Sequence, residues 1–154
     1  MKRLFLDVSQ NDNCIGVFIN KETEVLQAGT TIYSMPVKDK NEEYQKFADC
    51  WDIHFIFDDN IVNVDFYSVP RVDILAMDSQ GGYIGTIGGT TDMESDMPIC
   101  YIDKDRNVFL LADNFKEFLN NCSSWKEKRE PYDKVEVFAS KEEAEGKYEF
   151  VSIC

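Results

Sequence analysis

The 154-residue chain changes its hydrophobic period several times, and each change marks a predicted element. Residues 4–8 are apolar apart from Asp7, then Ser9 to Asn13 form a polar turn. Residues 15–19 are apolar again and stop at Asn20, Lys21 and Glu22. This pattern predicts a β-hairpin. Thr30 to Tyr33 is a further β-rich piece, ended by Pro36. Over residues 41–51 the period lengthens. Tyr44, Phe47, Ala48 and Trp51 fall at i, i+3, i+4 and i+7, the stripe of one helix face. Glu42 and Glu43 in its first turn suit the helix dipole.

Strand signals then return. Residues 54–57 are mainly apolar, 61–67 alternate, and 72–77 form an apolar run after Pro70. Residues 81–89 hold five glycines, followed by an acidic loop with Asp92, Glu94 and Asp96. Residues 99–102 and 108–111 flank Asp103 to Asn107 and predict a second hairpin. A second helix is predicted where Phe115, Phe118, Leu119 and Cys122 repeat the helical stripe, with Asp113 as its cap. Residues 135–138 read as a strand. Ser140 and Glu143 have capping-box spacing for one short helix stopped by Gly146, and 148–153 read as a last strand. Many strands with a few segregated helices give an α+β fold, a mainly antiparallel sheet carrying two or three helices. The length suits a single domain over 1–154, with 1–38 as a β-rich N-terminal extension.

Composition narrows the class. Apolar residues make up 44% and aromatics 13%, enough for a packed core. No apolar run approaches the roughly 18 residues of a membrane span. The N-terminal apolar stretch breaks at Asp7, too early for a secretory signal, so a cytoplasmic location is expected. The five cysteines are widely spaced with no Cys-x-x-Cys pair, which predicts buried, inert thiols in a reducing compartment.

Charge changes the picture most. The net charge is −13, and residues 39–122 carry 17 acids against 6 bases. Such a field repels phosphate backbones and argues against direct nucleic-acid binding. It attracts a basic protein, or else simply keeps the domain soluble.

Catalytic constellations fail on named residues. His54 is the sole histidine, and no serine or cysteine near it has a recognisable nucleophile setting. The glycine segment is neither G-x-G-x-x-G nor a P-loop, and no lysine or arginine lies between Arg71 and Lys104. Asp92, Glu94 and Asp96 alternate like calcium ligands, but Met97 stands where glycine is needed and Asp103 where glutamate is needed. No metal or other cofactor is therefore expected. A small-ligand or enzymatic site built on residues 81–89 and nearby carboxylates is the competing reading.

The order of features over residues 72–119 resembles the SUKH superfamily. The strand at 72–77 leads into Asp78-Ser79-Gln80-Gly81-Gly82-Tyr83. Pro98-Ile99-Cys100-Tyr101-Ile102-Asp103 follows, then Leu111-Ala112-Asp113-Asn114-Phe115-Lys116-Glu117-Phe118-Leu119. The family usually opens with a helix, which Glu43, Tyr44 and Phe47 partly match. The resemblance implies an antiparallel α+β domain of the immunity type. Such domains bind polymorphic bacterial toxins, nucleases among them, and carry no catalytic residues. On this reading the partner is a basic protein, and the chain binds neither nucleic acid nor membrane. Asp78, Tyr83, Asp92, Glu94, Asp96, Tyr101, Asp103 and Asp105 are the candidate contacts. Tyr83, Tyr101 and Trp125 fit interface anchors and core packing equally well.

Overall fold

A computed structural model describes residues 2–7, 23–60, 62–87 and 97–150. Its architecture is α+β, with a mainly antiparallel sheet and a few short helices. Strands β1 (Lys2–Asp7) and β2 (Thr23–Ala28) pair in parallel. Next come β3 (Thr30–Ile32), α1 (Glu42–Trp51), β4 (His54–Phe55) and β5 (Tyr67–Val69). Then β6 (Val72–Met77), β7 (Tyr83–Ile87), β8 (Ile99–Ile102) and β9 (Val108–Ala112) form an antiparallel meander. The chain finishes with α2 (Phe115–Asn120), a 3-10 stretch at Cys122–Glu127, β10 (Glu130–Pro131), β11 (Glu136–Phe138) and α3 (Lys141–Glu145).

Among the described residues the main sheet runs β10-β9-β8-β7-β6, and β3 and β4 share the outer edge of β6. Thr30 to Ile32 pair in parallel with Val72 to Ile74, while His54 and Phe55 pair antiparallel with Met77 and Ala76. Side-chain alternation sorts the sheet into two cores. Ile99 and Tyr101 join the cluster of Ile84, Leu111, Phe115, Phe118 and Trp125, covered by α1 and α2. Cys100 and Ile102 join the opposite cluster with Ile74, Phe66 and Val135. A bulge between Ile74 and Ala76 puts Leu75 and Ala76 together on the helical side. A third cluster, with Phe5, Val69, Phe138 and Ala144, joins β1 and β2 to β5, β11 and α3.

Both helices predicted from periodicity form. The Asn41 side chain caps α1 by accepting from the Glu43 and Tyr44 amides. At α2 the cap is Asn114, not Asp113: its side chain accepts the Glu117 N–H at 2.8 Å. The stripe overran this helix. Cys122 is buried but belongs to the following 3-10 stretch, and Leu119 is exposed. Ser140 accepts from the Glu143 amide at the start of α3, as its spacing predicts.

Three strand expectations change. Thr23–Ala28 pairs with the first strand in parallel, and the expected hairpin partner at 15–19 lies outside the described residues. The alternation at 61–67 yields a strand only from Tyr67. Val62, Val64 and Phe66 do turn inward while Asn63 and Asp65 face solvent, so the period reports burial without a ladder partner among the described residues. The last predicted strand is reduced, among the described residues, to one parallel bridge between Phe150 and Phe5. The thiols also differ from expectation: Cys100 and Cys122 are buried, but Cys50 is exposed. Among the described residues no helix is long and apolar enough to cross a membrane.

Candidate interaction surfaces

Five of the predicted contact residues gather at one end of the main sheet. The β6–β7 turn is built on Asp78. One oxygen of its carboxylate accepts the Gln80 amide at 3.0 Å and the Gly82 amide at 2.8 Å. The other accepts the Tyr101 hydroxyl at 2.6 Å. Gly81 adopts φ 85°, which favours glycine, and a Cβ on Gly82 would fall on the Tyr101 hydroxyl. The β8–β9 turn repeats the device. Asp103 accepts the Asp105 amide at 2.9 Å, the Asn107 amide at 2.8 Å and the Asn107 side chain at 3.1 Å. The two turns touch, since a Cβ on Gly81 would lie 3.6 Å from that of Lys104.

This geometry gives the predicted residues uneven roles. The carboxylates of Asp78 and Asp103 hold their own turns. Tyr101 is only 3% exposed and packs 5.3 Å from Trp125, with the Arg129 guanidinium 5.3 Å from its centroid. Burial, and then the hydrogen bond to Asp78, hold the Tyr101 phenol above its ordinary value. Trp125 is buried too, and its indole N–H donates to the Trp51 carbonyl at 2.7 Å. Tyr83 is half-buried against Phe66, 5.5 Å between ring centroids. Asp105 is exposed. Asp92, Glu94 and Asp96 lie outside the described residues, and the flanking Ile87 and Pro98 sit at the opposite end of the sheet.

Sequence reasoning missed a polar clasp beside these turns. Asp52 ends α1 in the left-handed conformation, φ 57° and ψ 40°. Its carboxylate accepts from the Ser79 amide and hydroxyl, the latter at 2.7 Å, and from Lys126 at 2.7 Å. The His54 ring, which is exposed, lies 2.9 Å away on the other oxygen. Partial burial opposes the charge, but the hydrogen bonds from Lys126, Ser79 and His54 win and hold the carboxyl well below its ordinary value. Ser79 and His54 both bind Asp52, so the three do not form a relay onto a nucleophile.

Unpaired negative charge lies elsewhere. Asp39, Glu42 and Glu43 are exposed around the start of α1. Among the described residues no base lies within ion-pair distance of them. Burial first, then Asp39 and Glu43, raise the Tyr44 phenol above its ordinary value. Tyr44 meets the Phe57 and Phe55 rings edge-on, each at 5.3 Å. Asp58 and Asp59 follow Phe57, and Asp59 pairs with Lys40 at 3.5 Å. In the sequence Glu42 and Glu43 signal only helix-dipole compensation, because an acid in a first helical turn and an acid on an open face look the same there. A hollow of about 570 Å³ is bordered by charges of both signs, Asp113, Glu117, Glu127 and Glu130 together with Lys128 and Arg129. Among the described residues no group of three or more His, Cys, Asp or Glu side chains could hold a metal ion.

No protein-family model, no curated protein and no solved structure matches this chain.

Proposed function

We propose that the chain is a protein-binding module of the immunity type, which neutralises a basic bacterial toxin by covering its working surface in the cytoplasm. The carrying observation is the exposed acidic face at the start of α1, where Asp39, Glu42 and Glu43 are unpaired among the described residues. A toxin that grips nucleic acid presents a basic surface, and an acidic inhibitor imitates the phosphates it expects. The order of residues over 72–119 that resembles the SUKH superfamily supports the same reading. It assigns no reaction to the chain. The ligand reading of the glycine segment gains no specific support: Gly82 lies under Tyr101, and a Cβ on Gly85 would stand 2.6 Å from the Asp73 carbonyl oxygen.

The test is calorimetric titration with a purified basic toxin encoded beside this chain. A tight complex whose affinity weakens as salt rises supports the proposal. Absence of a complex at low salt overturns it.

A further inference from the structure

We draw no further inference here: the strongest candidate, the hollow of about 700 Å³ between the β8–β9 turn and the stretch leading from β10 into β11, has apolar walls at Val108, Tyr132, Val135 and Val137 and charges of both signs at Arg106 and Asp133, and nothing in the structure shows what covers it.

Discussion

The Tyr101 hydroxyl donates to the Asp78 carboxylate at 2.6 Å while the ring passes directly over Gly82. One side chain thus locks the β6–β7 turn to the centre of β8, and it requires the residue beneath it to have no Cβ. Gly82→Ala should cost about 1–3 kcal/mol through overpacking, read by chemical denaturation. Tyr101→Phe relieves part of that clash but strips the hydroxyl from Asp78, for a loss of about 1–2 kcal/mol. Because the two residues touch, the double variant should lose less than the single losses combined. Strict additivity would show that the ring does not press on Gly82.

Asp52 joins the end of α1, the β6–β7 turn and the 3-10 stretch through one carboxylate. Its folded-state affinity for protons is depressed below the ordinary value of 3.8. A depressed carboxylate contributes stability above that ordinary value and loses it as pH falls further. Melting temperature should therefore fall below about pH 4, and the fall should be shallower in Asp52→Asn. An unchanged acid limb in the variant would assign the pH dependence to other carboxylates.

The thiols separate by burial. Desolvation pushes Cys100 up to about 12, and Cys122 is raised for the same first reason, whereas Cys50 faces solvent at the end of α1. The thiolate is the reactive form. A maleimide pulse on the native protein, read by peptide mapping, should label Cys50 and spare Cys100 and Cys122. Rapid labelling of Cys100 would mean that the sheet opens at β8.

What the sequence made legible follows from which forces are local. The stripe of Tyr44, Phe47, Ala48 and Trp51 gave α1, and the apolar runs around Asp103 to Asn107 gave β8 and β9, since period and turn chemistry act over a few residues. Pairing is not local. Nothing in Thr23 to Ala28 says that it lies parallel to β1, and nothing in Val62 to Phe66 says that no strand among the described residues pairs there. The turn roles of Asp78 and Asp103 also needed the structure, because an aspartate on a surface turn and an aspartate at an interface have the same sequence signal. The clasp at Asp52 was invisible for a related reason: its partners Ser79 and Lys126 are distant in the chain.

Asp73 supplies the last prediction. It is 1% exposed, and one oxygen accepts both the Thr31 hydroxyl at 2.5 Å and Arg71 Nε at 2.7 Å. Its other oxygen is buried with no hydrogen-bond partner. A buried charge satisfied on one side only carries a desolvation cost that its pairing must offset. Asp73→Asn keeps an acceptor for Thr31 and Arg71 and removes the formal charge, so its loss should stay within about 1 kcal/mol. Asp73→Ala removes the acceptor, strands the Arg71 guanidinium on its Asp73 side and opens a void between β3 and β7. It should cost about 3 kcal/mol or more. Urea denaturation of both variants decides the matter: equal losses would mean that the charge, rather than the hydrogen bonds, holds β3 to β6.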